Sequence, residues 1–143
     1  MQRAWMAVVV AAAVSPSVSI AQQQQPAMQP GVVVVSYQKC AFDKLPEFNQ
    51  FWKQTVGPLL DEQVKQGKLL SWGMLEHSWG DEWNSVLYYT ARDLNTFDSS
   101  FGEVFSRLLQ KEPNLMQRFS TWCTEHKDNI YSVVATNTVN PPR

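Results

Sequence analysis

Hydrophobic periodicity along the middle of this chain predicts an α+β domain of order β-α-β-β-α-β. Three observations carry that expectation. Residues 32–38 read VVVVSYQ, a short β-branched run of the kind that forms a buried strand. Two further strand-like runs, 69–78 and 83–91, are separated by only four residues, as in a hairpin. Two stretches with apolar residues at steps of three and four lie between the strands, one after the first and one after the third. Such an order normally gives a four-stranded antiparallel sheet with both helices on one face, in the spatial order fourth, first, third, second strand.

Each element has a local reason. Asp43 is placed to cap the first helix, whose stripe runs through Leu45, Phe48, Trp52, Val56, Leu59 and Gln63 or Val64, and Gly67 stops it. Gly57 and Pro58 fall inside that helix and predict a kink, because proline removes one backbone bond and crowds the preceding turn. The second helix presents Phe97, Phe101, Val104, Phe105 and Leu108. Pro113 interrupts it, and a shorter helical piece carries Leu115, Phe119 and Trp122. Residues 130–136 read as the fourth strand.

The ends of the chain read differently. In residues 1–21, Arg3 and the amino terminus precede an uncharged apolar run from Met6 to Val14, and Ser19 and Ala21 occupy the −3 and −1 positions of a cleavage site ahead of Gln22. The run is too short to span about 30 Å of hydrocarbon. This predicts an export signal, with an uncleaved anchor or a buried N-terminal helix as the alternative. No cysteine follows the site, which argues against a lipoprotein. Residues 22–31 are a Gln- and Pro-rich flexible tether, 32–136 a single domain, and 137–143 a disordered tail. The expected location is secreted or periplasmic, with no membrane attachment once the signal is removed.

Charge works by exclusion. Of 12 Lys and Arg only Arg3 is lost with the signal, leaving 11 against 13 acidic residues, and no dense basic run occurs. Nucleic acid is not an expected partner. Six Trp, seven Phe and four Tyr supply either a small aromatic core or a ligand pocket. The sequence contains no phosphate-binding loop, dinucleotide fingerprint, nucleophile elbow or CxxC pair.

The first strand VVVVSYQ, the kinked helix running through VGPLLDEQVKQGKLLSW, and the hairpin LEHSWGDEWNSVLYY together resemble the dimeric α/β-barrel superfamily of ferredoxin-like domains. The similarity is to its small antibiotic-biosynthesis-monooxygenase and NIPSNAP-type members. It implies a homodimer with sheets packed face to face, and a barrel in which many members bind small organic molecules or haem. It transfers no catalytic residue to this chain, and it names no cofactor here. The residues independently point to a partner, because the helix-free sheet face would carry Val or Ile from the first and fourth strands.

The topology brings the ends of the first and second strands to one edge with the starts of the third and fourth. Cys40 and Cys123 meet there, and an exported protein with an even number of cysteines predicts a disulfide, two free buried thiols being the alternative. The same edge collects His77, Glu82, His126 and Asp128, the candidate acid, base or proton-carrying groups. Their competing role is to finish strands and turns, Asp128 organising the turn into the fourth strand. No established metal motif is present. The two histidines fall on opposite outer strands, so no metal shared by both is expected. Trp79 and Trp83 around the hairpin, with Tyr88 and Tyr89 beyond, could line a pocket for a flat ligand or simply pack. Ser71 and His77 belong to the strand face expected to look into the barrel, with Trp72 and Met74 turned to the helices. Three functions compete: a module binding a small, largely apolar molecule in the barrel, a monooxygenase- or isomerase-like enzyme using a histidine, and a structural dimer with a filled barrel.

Overall fold

The computed structural model describes residues 31–135 except Ser78 and Asp81. The expected signal, nearly all of the tether, and the tail lie outside the described residues. Strand β1, Val32–Cys40, is followed by helix α1, Leu45–Phe51, a π-helical turn, Trp52–Val56, and helix α2, Gly57–Lys65. Strands β2, Ser71–Glu76, and β3, Ser85–Ala91, come next, then helices α3, Leu94–Lys111, and α4, Leu115–Trp122, and finally strand β4, Cys123–Ser132. The four strands form one antiparallel sheet in the order β2-β3-β1-β4. This is the predicted order.

The expected kink takes the form of a π turn. Pro58 has no N–H to give and its ring crowds the carbonyl of Gln54, so a regular helix cannot pass through it. Widening the helix just before the proline relieves the clash, and the Gly57 N–H reaches back five residues to the Trp52 carbonyl. Asp43 does not cap α1: the capping position is Lys44 and no side chain bonds there. The start is instead held by backbone bonds from Lys44 and Leu45 to the Ala41 carbonyl, with Pro46 in the first turn. Gly67, at φ 69°, ends α2 as expected, because a side chain is strained in that conformation. Asp93 caps α3 through the Thr96 N–H at 2.7 Å.

Two strand boundaries differ from expectation. The β2–β3 connection covers residues 77–84 rather than four residues. Its last two described residues leave the ladder for other partners. Trp83 turns onto the helix-free face beside Tyr37, with ring centroids 6.5 Å apart, and Asn84 accepts from the Cys40 N–H at 2.9 Å while donating to the Cys40 carbonyl at 2.7 Å. The fourth strand begins at Cys123, directly after α4, and ends at Ser132. The run at 130–136 was expected because it is β-branched. The earlier, charged segment becomes the strand because β1 offers it a continuous ladder and the Cys40–Cys123 disulfide anchors its first residue. Asp128 therefore lies within β4 rather than in a turn before it.

Register assigns the two sheet faces. Val34, Leu87, Tyr89, Trp72 and Met74 face the helices, where Phe48, Leu60, Val104, Leu108, Leu115 and Trp122 complete the core. Trp72 and Met74 thus point as predicted, and the indole of Trp72 donates to Asp61 of α2 at 2.9 Å. The helix-free face carries Val33, Val35 and Tyr37 of β1, Val86, Tyr88 and Thr90 of β3, Ser71, Gly73 and Leu75 of β2, and Lys127, Asn129 and Tyr131 of β4. Tyr88 lies over Gly73 so closely that a β-carbon there would sit 2.3 Å from its ring. The apolar content of this face comes from β1, β2 and β3. The expected Val and Ile of β4 are absent from it, since β4 reads CTEHKDNIYS and its Ile130 points to the helix side.

Candidate functional site

Helices α3 and α4 leave the β1–β4 half of the sheet's inner face partly uncovered. In that space lies a cavity of about 620 Å³. Its floor is set by two cross-strand pairs, Ser36 with Asp128 and Gln38 with His126. Side chains directly opposite on antiparallel strands stand about 5 Å apart, so hydroxyl, carboxamide, imidazole and carboxylate form one compact polar patch. The Gln38 amide donates to the Ser36 hydroxyl at 2.7 Å, which fixes both on the central strand. His126 and Asp128 are exposed, because no helix lies over the outer strand at that point.

Opposite the polar floor the lining is aromatic. Phe97, Phe101 and Phe105 recur every fourth residue along α3 and stack in series, with centroids 5.4 and 6.0 Å apart and planes within 22°. Tyr89 packs against the first two at 5.7 and 5.5 Å, and Phe119 of α4 meets Phe48 and Trp52 near 6 Å. All of these side chains line the cavity. Phe101, Phe105 and Phe119 are only half-buried, so the cavity wall keeps apolar surface in contact with its contents. Burial pushes the Tyr89 phenol well above its ordinary pKa, and the negative charge of Asp128 adds to the effect. The phenol is therefore a neutral hydrogen-bonding group at physiological pH.

At the rim, Cys123, Thr124 and Glu125 follow the turn from α4 into β4. The disulfide joins Cys123 to Cys40, and the clamp by Asn84 holds the Cys40 backbone from the other side. Glu125 is engaged by Lys39 at 3.0 Å, and this bond together with its charge raises the lysine pKa.

The sequence candidates separate into several places. His126, Asp128 and Tyr89 meet in the cavity. Ser71 and Tyr88 lie on the helix-free face, where the Ser71 and Thr90 hydroxyls are bonded at 2.7 Å, and Trp83 sits at the end of that face with Lys127 4.6 Å over its ring. Tyr88 and Tyr89, being consecutive in a strand, point to opposite sides and cannot share a pocket. Trp79 is 91% exposed. Glu82 is exposed in the β2–β3 connection and acts on Lys39 by its charge. His77 follows the last residue of β2, so strand alternation does not extend to it. It lines a second groove of about 480 Å³ with Asn49, Lys53 and Glu76. The two histidines lie beyond opposite sides of the sheet, some three strand spacings or about 14 Å apart across it. Among the described residues no group of three His, Cys, Asp or Glu side chains is arranged to hold a metal.

Sequence reasoning missed Ser36, Gln38 and the phenylalanine series as site residues. Ser36 and Gln38 did leave a signal, two polar positions on the core-facing parity of an otherwise apolar strand. Phe101 and Phe105 had none, since a helical stripe of aromatics is also what a filled core looks like.

The β-α-β-β-α-β chain path, the strand order and the single helical layer define a ferredoxin-like protein. No protein-family profile matches the sequence, and no curated protein sequence matches it. Solved structures share the fold. A dimeric ferredoxin-like protein from an uncultured marine organism is 9% identical, with a TM-score of 0.67 over 80% of this chain and 97% of that one. A NIPSNAP domain protein from Burkholderia xenovorans is 12% identical, with a TM-score of 0.55 over 76% of this chain and 99% of that one. An antibiotic biosynthesis monooxygenase-like protein from Nitrosomonas europaea is 15% identical, with a TM-score of 0.50 over 73% of this chain and 99% of that one. At these identities the likeness establishes the ferredoxin-like fold, and the expected superfamily resemblance holds at that level.

Proposed function

We propose that this protein is an exported, homodimeric binding module that holds a small, largely apolar molecule in the cavity between the β1–β4 half-sheet and helices α3 and α4. The observation that carries the reading is the stacked series Phe97, Phe101 and Phe105, the last two half-buried, facing a four-residue polar patch across about 620 Å³, a size and composition suited to an organic ligand with one polar end. The site is on the helix side of the sheet, whereas the sequence placed the ligand against the helix-free face. That face is left for a second copy. The dimeric character of the marine ferredoxin-like protein supports the same assembly here. The disulfide suits an oxidising compartment, and no helix among the described residues is long and apolar enough to cross a membrane.

Native mass spectrometry of protein purified without organic solvent tests the reading. A retained small molecule, lost when Phe101→Asp places a charge in the wall, is the expected result. Retention unchanged in that variant, with the fold intact by circular dichroism, would exclude the cavity as the site. A second reading, acid–base catalysis on the bound molecule, is favoured by His126 alone, since it is the titratable nitrogen in the polar patch. His126→Ala then abolishes turnover of the bound molecule but leaves the molecule bound.

A further inference from the structure

The charge distribution inside the cavity goes further than its apolarity. Its lining holds two carboxylates, Glu125 and Asp128, and contains neither lysine nor arginine. Glu125 is neutralised by Lys39 at the rim. Asp128 makes no ion pair among the described residues, although the chain has cations close by. Lys127, its neighbour in sequence, points to the opposite sheet face and lies over the rings of Tyr37 and Trp83 at 5.2 and 4.6 Å. Asp128 is solvated at the open side of the cavity, and a ligand seated there covers part of the carboxylate, so a cationic group gains an ion pair where a neutral one does not. Aromatic rings attract cations through their negative faces, and so add to the preference. From this juxtaposition we infer that the ligand is an organic cation, an ammonium or similar group carried on an aromatic or apolar skeleton, with the charge directed at Asp128 and the skeleton against the phenylalanine series.

The inference rests on the proposed binding reading and adds the ligand's charge to it. Asp128 and Tyr89 both line the cavity, so the carboxylate's charge is directed into the same space, in the sense that raises the phenol pKa after burial has done so. Ser36, bonded to Gln38, retains lone pairs for an ammonium hydrogen, and Gln38 retains its carbonyl oxygen for the same purpose. The floor is thus rich in acceptors. An anionic ligand would meet Asp128 with no lysine or arginine in the lining to offset the repulsion.

The test uses three probes on one skeleton: naphthylmethylammonium, naphthylmethanol and naphthoate, titrated against the mature dimer by calorimetry. The expected order is cation, neutral, anion, with the cation bound roughly tenfold tighter than the neutral probe, from a partly exposed ion pair plus ring attraction. Asp128→Asn should bring the ratio of cation to neutral affinity down to about twofold or less, whatever it does to either affinity alone. Neutral probe bound as tightly as the cation, or anion bound best, overturns the inference and leaves the binding reading standing. No binding of any of the three overturns both. Should Asp128→Asn fail to fold, the order of the three probes on the unmodified protein decides the matter.

Discussion

Removing the Cys40–Cys123 disulfide should destabilise the protein by a large fraction of its total stability. The bridge spans 83 residues, nearly the whole domain, and joins the end of the central strand to the start of an outer one. On the chain-entropy model a loop of that length restricts the unfolded chain by about 4.5 kcal/mol. A domain of this size has only about 5 to 15 kcal/mol in total. The folded state keeps other ties at the same corner: Asn84 holds the Cys40 backbone at 2.9 and 2.7 Å, and the Ala41 N–H bonds the Trp122 carbonyl at 2.9 Å. The fold should therefore survive in a Cys40→Ala/Cys123→Ala double variant, with the loss visible as stability. With a urea slope of about 1 to 3 kcal/mol per molar, the unfolding midpoint should fall by roughly 2 M. Urea titration followed by tryptophan fluorescence reads this directly. A midpoint within about 0.5 M of the unmodified protein would refute the argument. So would two titratable thiols in the denatured, unreduced chain.

Three further outcomes are measurable, the first expected from the sequence and the other two from the fold. The exported protein should begin at Gln22 by intact mass, and mature material that retains Met1 would contradict the signal-peptide expectation. Light scattering at micromolar concentration should show a dimer burying more than about 1,000 Å². Val35→Lys, placed in the middle of the helix-free face, should convert it to a folded monomer, and an unmodified protein that is already monomeric would refute the assembly. Asp93→Ala should lower the thermal midpoint at neutral pH, since the Thr96 N–H bonded to the carboxylate holds the Asp93 pKa below its ordinary 3.8. That contribution is complete above the unfolded value and is lost as pH falls through the folded one. The gap between variant and parent in circular dichroism melts should therefore narrow as pH falls below the ordinary carboxylate value of 3.8. A gap that stays constant would show that the charge of the cap plays no part.

The sequence by itself determined the order of elements, because each is written locally: the β-branched run of β1, the four-residue phenylalanine spacing of α3, Pro113 between α3 and α4, Gly67 at the end of α2. Strand order followed from the chain path, and with it the meeting of Cys40 and Cys123. The position of β4 was not legible. CTEHKDNIYS has the composition of a solvated segment, and it becomes a strand only because β1 presents unpaired backbone groups along its other edge and the disulfide sets the first residue. Misplacing β4 hid the site, because His126 and Asp128 acquire their alternation, and hence their common face with Ser36 and Gln38, only once they are strand residues. The direction of Trp72 and Met74 could be read from period-two patterning, but the cavity could not. Whether a helix covers half a sheet or all of it depends on where α3 and α4 come to rest, and that is decided by packing among residues far apart in the chain. Phe97, Phe101 and Phe105 show the limit most plainly: the same helical stripe closes a core or lines a pocket according to what lies opposite, and what lies opposite is a property of the tertiary structure alone.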